Sequence, residues 1–384
     1  MPTLPPGTSP TLALAHPTEA EKQIQFRLNG SEWRGALTLP AYLRREALLS
    51  NQQLTRNGGI TYWILIDTAV HNALDPSSPH RLPLASCETY RKRALVWREG
   101  KVEETIAHGV GSVFCAEHLR KRGYAARMMQ EVGKVLETHQ VQGGRKCLLS
   151  VLFSDIGKEF YRSHGWEPFR SSHISIPGVV SRSGPKGITA RPLCEEDLEE
   201  LCKADERIIR KRLEERTRES NIAVALIPDI ETIRWHHARE DFVGQELHGR
   251  TPKVKGAMVG TEEGKRVWCY WTRMWYNSDP TQAKGNTLHI LRLVVEDGRE
   301  EDAVDAIAAL MALAQREAQE WRMEEVEAWN PSPATVAAAR ILHPSAEVVD
   351  RDTESIASLR WYPPHTGNIA ESIDWVANEK HGWC

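Results

Sequence analysis

The fold is decided by a short junction that reads Arg120-Lys121-Arg122-Gly123-Tyr124-Ala125. It lies between a predicted strand over 103–115 and a predicted helix over 124–139. A turn at such a junction points backbone N–H groups and a helix N-terminus into one space, which favours anion binding. Gly123 permits close approach of a phosphate to the backbone, and the three cations increase the attraction. The junction therefore predicts a pyrophosphate site, although a basic surface loop before a helix has the same pattern.

A second informative stretch follows the predicted strand over 147–153. Residues 153–157 read F-S-D-I-G and predict a tight turn. Phe160 and Tyr161 then form an aromatic pair on a short helix, and Gly165 is the predicted end of that helix. Taken alone, this aromatic pair is equally explained by packing of the helix onto a sheet.

The composition is that of an ordinary globular protein of 384 residues, 41% of them hydrophobic and 26% charged. The net charge of −3 provides no field that would attract nucleic acid or an anionic membrane. No apolar run approaches the ~18 residues of a membrane span. The seven cysteines form no C-x-x-C pair, which favours reduced thiols over a disulfide framework or zinc site. We therefore expect a cytoplasmic protein without a metal, a membrane or a nucleic-acid partner, and the oligomeric state stays open.

Apolar periodicity divides the chain into two similar halves. Residues 1–11 are expected to form a flexible tail, 12–176 a first domain, 177–187 a linker rich in Gly, Pro and Ser, and 188–384 a second domain. Antiparallel strands followed by a strand, a helix, a strand and a short helix occur in both halves. We interpret the second domain as a diverged copy of the first.

Together, the two stretches resemble the GNAT superfamily of N-acetyltransferases. The R-x-x-G-x-A junction between strand and helix matches the pyrophosphate motif of that family, and D-I-G-x-x-F-Y-x-x-x-G-W matches the segment beside the cofactor's thiol end. The resemblance implies a mixed α+β fold with a central, mostly antiparallel, splayed sheet flanked by helices, followed by a second, GNAT-like domain without a phosphate loop. The whole length also resembles the fungal lysine N-acetyltransferases, which acetylate the side-chain amine of free L-lysine at the start of lysine breakdown.

This resemblance implies an acetyl-CoA-dependent N-acetyltransferase whose acceptor amine, preferably that of free L-lysine, attacks directly in a ternary complex. A GNAT enzyme acting on a protein lysine or N-terminus, and a non-catalytic acetyl-CoA-binding module, are the alternatives. In the family, the strand before the phosphate loop pairs with pantetheine through its backbone. The positions that match the family's cofactor-binding segments are Ser112, Val113, Phe114, Cys115, Arg120, Lys121, Arg122, Gly123, Tyr124, Ala125, Ser154, Gly157 and Phe160.

The resemblance also implies which groups move protons. Tyr161 matches the usual general acid, which protonates the departing thiolate. A lysine ammonium has a pKa near ~10.4, so the attacking amine needs a base. Glu103, Glu104 and His108 are the candidates on the strand before the loop. Glu104 and His108 share one face of that strand, and Glu104 is preferred, although a carboxylate on a surface hairpin has the same pattern.

The second half carries an acidic run at 295–302, where the first half has its phosphate loop. Carboxylates at this place would repel a pyrophosphate. We hypothesise that Trp235, His236 and Arg239 of this half close over the acceptor and bind the polar groups of an amino acid. A domain that serves only for packing explains the same residues. The adjacent histidines His236 and His237 point apart on a helix or strand, so no metal site is predicted.

Overall fold

A computed structural model describes residues 4–141, 145–180, 187–217 and 221–383. In the first half, the helices and strands are β1 (Leu12–Ala15), α1 (Glu19–Trp33), α2 (Leu39–Leu49), β2 (Ile60–Asp67), β3 (Ala85–Arg98), β4 (Lys101–Phe114), α3 (Tyr124–Val135), β5 (Cys147–Ser154), α4 (Glu159–Arg162), β6 (Glu167–Pro168) and β7 (Ser172–Pro177). In the second half they are β8 (Arg191–Leu193), α5 (Glu195–Glu214), β9 (Ile222–Leu226), α6 (Ile230–His248), β10 (Gly256–Val259), β11 (Val267–Met274), β12 (Thr287–Val295), α7 (Val304–Glu320), β13 (Glu325–Trp329), α8 (Pro333–Leu342), β14 (Val348–Asp350), β15 (Ile356–Trp361), α9 (Ile369–Ser372) and β16 (Ile373–Trp375).

Local sequence explains where several elements begin. Thr18 caps α1 in a capping box, because its hydroxyl accepts from the Glu21 N–H and the Glu21 carboxylate accepts from the Thr18 N–H. Glu99 and Gly100 join β3 to β4 with φ values of +54° and +80°, as a tight hairpin requires. Gly123 precedes α3 with φ +84°, a conformation that glycine adopts without strain.

The first sheet is built around β3, β4 and β5. Its strands run in the order β1-β2-β3-β4-β5-β15-β6, and β9 pairs with the part of β3 that lies beyond β2. Strands β4 and β5 are parallel and are joined through α3, whereas β3 is antiparallel to both β2 and β4. Met128, Met129 and Val132 of α3 are fully buried against this sheet.

The two central strands of this sheet separate at one end. Their pairing extends from Ile106 opposite Cys147 to Val110 opposite Leu152. Strand β4 continues through Gly111 to Phe114 and pairs there with β3, whereas β5 continues on its other side with β15. The backbone of 111–114 therefore has an open edge on the β5 side, next to the start of α3.

The second sheet repeats this plan. Its order is β14-β7-β13-β12-β11-β10-β8, and its parallel pair, β12 and β13, is joined through α7. Here the parallel pairing covers Thr287 to Ile290, and β12 again continues beyond it, to Val295. The predicted fold class, a GNAT fold with a splayed sheet followed by a second GNAT-like unit, is confirmed. Of the described residues, no helix is long and apolar enough to cross a membrane.

The two halves exchange strands. Strand β7 of the first half pairs with β13 and β14 in the second sheet, and β15 of the second half pairs with β5 and β6 in the first sheet. Each sheet therefore needs both halves of the chain. The predicted boundary at 177–187 stays a prediction, and 181–186 lie outside the described residues.

The first residues differ from the flexible tail that we expected. The Gly7 N–H donates to the Arg122 carbonyl at 2.7 Å, and the Tyr124 hydroxyl donates to the Pro5 carbonyl at 2.5 Å. Arg127 also donates to the carbonyls of Ser9 and Leu12. Residues 5–12 therefore lie against the junction and the first turn of α3.

Candidate active site

The predicted pyrophosphate junction has the geometry of an anion site. Lys121 and Gly123 have φ values of +63° and +84°, and α3 begins at Tyr124 without an acidic residue in its first turn. The first N–H groups of a helix lack partners within it, so the backbone near Tyr124 and Ala125 offers donors. Arg120 is exposed and bonds to the Cys115 carbonyl, which braces the turn. Residues 120–123 are exposed and follow the end of β4, whereas the Tyr124 side chain is buried.

The open edge of β4 carries a β-bulge. The register between β3 and β4 shifts between Ser86 and Glu88, and Ser112 has φ +50°. Phe114 is buried and packs edge-on against Trp33 with a ring distance of 6.0 Å. These contacts leave the backbone of this edge as the part that faces the gap. The remaining predicted positions are half-buried: Val113 packs against the core of the first sheet, and the Cys115 thiol bonds to the Leu84 carbonyl.

The turn after β5 lies across the gap from this edge. The Ser154 hydroxyl donates to the Gly157 carbonyl at 2.6 Å and accepts from the Ile156 N–H, so it closes the turn. Gly157 has φ +78°. Phe160 and Tyr161 pack edge to face with a ring distance of 5.0 Å. Hydrogen bonds within the turn therefore use the Ser154 hydroxyl, and packing against Tyr161 explains the position of the Phe160 ring.

Tyr161 is the candidate acid that the structure brings to the gap. Its side chain is buried, and burial, followed by the charges of Asp155 and Cys87, raises its pKa well above the usual value. Asp155 follows β5, and Cys87 lies on β3. A phenol in this position stays protonated at neutral pH and is able to give its proton to a thiolate.

Glu88 on β3 is a functional candidate that our sequence reasoning missed. It is 4% exposed and lies opposite Gly111, where β4 begins to separate from β5. Its carboxylate accepts a hydrogen bond from the Ser112 hydroxyl at 2.6 Å and another from the Tyr90 hydroxyl at 2.9 Å. Burial, and then the charge of Glu46, raises the pKa of Glu88 to about 7. A carboxylate with this pKa beside the open edge has the properties of a general base.

The two bases that we predicted lie in other environments. Glu104 forms ion pairs with Arg93, Arg145 and Arg210, and its pKa is lowered, chiefly by the hydrogen bond from Arg93. It also lies seven residues from Gly111, or roughly 23 Å along a strand. The structure therefore gives no support to Glu104 as the base.

His108 faces the side of the sheet opposite to Glu88, because their partners Arg91 and Gly111 alternate along the pleat. Its nitrogens contact Cys147 Sγ and Gln140 Oε1, both at 3.3 Å. Burial lowers the pKa of His108 to about 4. Hydrogen bonding and packing beneath the sheet explain this residue without a catalytic role. Glu103, the third candidate, pairs with Arg98 at the hairpin.

Helix α6 places residues of the second half over Glu88. The Trp235 ring packs edge-on against Tyr90 at 5.6 Å, and its buried indole N–H has no partner among the described residues. Arg239, one helical turn later, lies over the Trp383 ring at 5.7 Å. No carboxylate of the described residues lies within 4.0 Å of its guanidinium. Burial, and then the charge of Arg45, lowers the pKa of Arg239 to about 10.

The two histidines of α6 serve packing. His236 is buried and contacts the His381 carbonyl at 3.3 Å, and His237 contacts the Trp271 carbonyl at 3.0 Å. Burial lowers the pKa of both. The Nε2 atom of His236 is therefore used by the His381 carbonyl, and a role of His236 at the acceptor stays a prediction. Within the described residues, no group of three or more His, Cys, Asp or Glu side chains is placed to hold a metal ion.

Comparisons with known proteins identify the family of this chain. Residues 173–384 match the family model described as the LYC1 GNAT-like C-terminal domain. A lysine acetyltransferase of Yarrowia lipolytica is 24% identical over 72% of this chain and 74% of its own length. An uncharacterized protein of Saccharomyces cerevisiae is 22% identical over 92% of this chain and 93% of its own length.

A solved structure shows the same fold. The GCN5-related N-acetyltransferase of Anabaena variabilis matches with a TM-score of 0.52 and 13% identity, over 91% of this chain and 72% of that one. The resemblance to GNAT N-acetyltransferases is thus confirmed. Since the family model matches more than half of the chain, the protein belongs to the LYC1 GNAT-like family.

Proposed function

We propose that the protein transfers the acetyl group of acetyl-CoA to the side-chain amine of free L-lysine. One observation carries this proposal: the open edge of β4 at 111–114 directly borders Glu88, a buried carboxylate whose pKa is raised to about 7. An open strand edge offers N–H and C=O groups to an extended ligand, and the pantetheine arm of coenzyme A is such a ligand. The amine and the thioester then meet at one end of the sheet.

The residues near the gap fit acetyl-CoA. The junction at 120–125 offers helix N–H groups and basic side chains to the pyrophosphate, and Gly123 permits close approach. From there the pantetheine arm runs along the edge of Ser112 to Cys115. An N–H of this edge is placed to donate to the thioester oxygen, where negative charge develops in the tetrahedral intermediate.

The proton transfers follow from the same arrangement. Glu88 removes a proton from the lysine ammonium, and the neutral amine attacks the thioester carbon to form the C–N bond. Collapse of the intermediate breaks the C–S bond, Tyr161 gives its proton to the departing thiolate, and the second proton that the attacking nitrogen loses restores the Tyr161 hydroxyl through solvent. The products are the acetamide of the side chain and coenzyme A. Desolvation at Glu88 raises its proton affinity, which suits this task.

Residues of the second half favour a free amino acid as the acceptor. Arg239 is a guanidinium without a carboxylate partner among the described residues, close to the unpartnered indole N–H of Trp235. A free amino acid brings a carboxylate to such a cation, whereas a lysine within a protein does not. The name of the Yarrowia lipolytica relative also supports lysine.

An amine panel tests the proposal. Purified protein is incubated with acetyl-CoA and, separately, with free amino acids, polyamines, lysine-containing peptides and peptides with free N-termini, and the products are identified by mass spectrometry. We expect acetylation of L-lysine at the side-chain amine and little product from peptides. Efficient acetylation of peptides would assign the enzyme to protein substrates. Binding of acetyl-CoA without turnover of any amine would indicate a non-catalytic acetyl-CoA-binding module.

A further inference from the structure

The end of the chain occupies the gap in the second sheet. Strand β12 continues beyond its pairing with β13, and there the Leu293 N–H donates to the Glu379 carboxylate at 2.9 Å. Arg292 forms an ion pair with the same carboxylate. Residues 378–383, which we call the C-terminal segment, therefore fill the place that corresponds to the open edge of β4 in the first sheet.

The C-terminal segment also reaches the first sheet. The Lys92 ammonium, on the same face of β3 as Glu88, donates to the Gly382 carbonyl at 3.0 Å. The His236 ring of α6 contacts the His381 carbonyl at 3.3 Å. These contacts fix the segment between β3, α6 and β12, beside the acceptor side of the gap.

Lys380 is an unusual residue of this segment. Its side chain is only 3% exposed, and its ammonium lies 4.2 Å from the Trp329 ring centroid and 4.3 Å from that of Trp383. No hydrogen-bond or ion-pair acceptor contacts this ammonium among the described residues. Arg239 lies over the same Trp383 ring. Two cations without carboxylate partners thus share one indole.

Burying these cations has a cost that the indoles offset only in part, because cation–π contacts are weaker than the lost hydration of a charge. Burial lowers the pKa of Lys380 to about 7, and Glu327 and Asp155 oppose this effect while Arg239 adds to it. Asp155 directly follows β5, at the turn of the gap. Lys380 is therefore within electrostatic reach of this turn, and the two cations favour an anion as their partner.

We propose that Lys380 and Arg239, which share the Trp383 ring, together bind the carboxylate of the acceptor amino acid. This proposal rests on the proposed function and deepens it, because it names the groups that select a free amino acid. A lysine inside a peptide carries an amide in place of this carboxylate and leaves both cations without a carboxylate partner. The second half, whose own gap is filled by the C-terminal segment, then selects a free amino acid as the acceptor.

A series of acceptors tests the pair in the wild-type protein. L-lysine, 6-aminohexanoate and 1,5-diaminopentane carry the same terminal amine, but the diamine lacks the carboxylate. We expect kcat/KM for the two carboxylates to exceed that for the diamine by at least about 10- to 100-fold, the range of a hydrogen bond to a charged group. Equal kcat/KM for all three would overturn the carboxylate site while leaving lysine acetylation intact. Absence of lysine turnover would instead contradict the proposed function.

The Lys380→Met variant tests whether Lys380 causes the preference for acceptors with a carboxylate. It should lower kcat/KM for L-lysine by about 10- to 100-fold, while kcat/KM for the diamine and KM for acetyl-CoA stay unchanged. Lys380→Arg, which keeps the charge, should recover part of the loss, and Lys265→Met, at an exposed lysine, should have no effect. An equal loss with lysine and diamine, or no loss with lysine, would contradict a role of Lys380 in binding the carboxylate. If the Lys380→Met variant does not fold, the acceptor series with the wild-type protein tests the carboxylate site instead.

Discussion

The hydroxyl of Ser112 donates a 2.6 Å hydrogen bond to the carboxylate of Glu88 across two neighbouring strands. This bond joins the bulge at the open edge of β4 to the only acidic side chain of β3. Since the thioester is expected along that edge, the bond fixes the distance between the proposed base and the carbonyl that is attacked. The bulge therefore has a chemical consequence, because it turns the Ser112 side chain towards Glu88.

Replacing Glu88 with glutamine should remove the base. We expect kcat for lysine to fall by about 10²- to 10⁴-fold, as for other general bases, while KM for acetyl-CoA stays unchanged. In the wild-type protein, kcat/KM should rise with pH through about 7, because Glu88 acts in its ionised form. Arg45 and Glu46 of α2 also act on this carboxylate. Steady-state kinetics of both proteins at pH values between roughly 5.5 and 9 test the expected loss of kcat and the expected pH dependence. A variant with the wild-type rate would exclude Glu88 as the base.

The same substitution should stabilise the fold at alkaline pH. A carboxyl whose pKa rises from 4.5 to about 7 on folding loses stabilisation as pH increases between these values, since the unfolded chain ionises first. The wild-type protein therefore carries a cost of about 3 kcal/mol above pH 7 that glutamine avoids. We expect urea unfolding to show Glu88→Gln as more stable at about pH 8 and closer to wild type at about pH 5. Glu262→Gln, at an exposed position, is the control, and equal stability of wild type and Glu88→Gln at both pH values would refute this.

Tyr161→Phe should separate a catalyst from a module that only binds acetyl-CoA. Removing the hydroxyl takes away the proposed proton donor, so kcat should fall by about 100-fold or more, and calorimetry should show unchanged binding of coenzyme A. Tyr362→Phe is a matched control, because Tyr362 is also largely buried and its hydroxyl contacts Ser150, away from the gap. Undiminished turnover by the Tyr161 variant would remove this residue from the mechanism.

The first residues of the chain should influence acetyl-CoA binding. A Cβ atom at Gly7 would lie 2.6 Å from the carbonyl carbon of Gly123 and 2.7 Å from the Arg122 oxygen, so the junction must move. Gly7→Ala should therefore raise KM for acetyl-CoA by about 10-fold, an effect of about 1.4 kcal/mol, without changing KM for lysine. Thr8→Ala, at the exposed neighbouring position, is the control. If both variants bind acetyl-CoA like the wild type, contact with the first residues does not position the junction.

The parts of the site that the sequence predicted are those that depend on neighbouring residues. Helix α3 begins at Tyr124, as predicted from Gly123, and the observed strand Lys101–Phe114 is close to the predicted one. A glycine and a periodic apolar pattern determine these features locally. Tyr161 could likewise be proposed from the sequence because its motif is continuous in the chain.

The missed features depend on contacts between distant residues. Glu88 has no local signal, because its proposed role depends on the register with β4 and on the bulge at Ser112. Glu104 resembled a base until its ion pair with Arg210, from the second half, was visible. The Lys380 ammonium lies over the rings of Trp329 and Trp383, and no periodicity predicts such contacts. The exchange of β7 and β15 was missed for the same reason.

A crystal structure of the protein with coenzyme A and L-lysine would locate both substrates relative to β4 and Glu88. We predict the pyrophosphate at the N-terminus of α3, the pantetheine along 112–115, and the lysine side-chain amine within hydrogen-bonding distance of Glu88. A coenzyme A molecule bound away from the edge of β4, or a lysine amine remote from Glu88, would contradict this prediction.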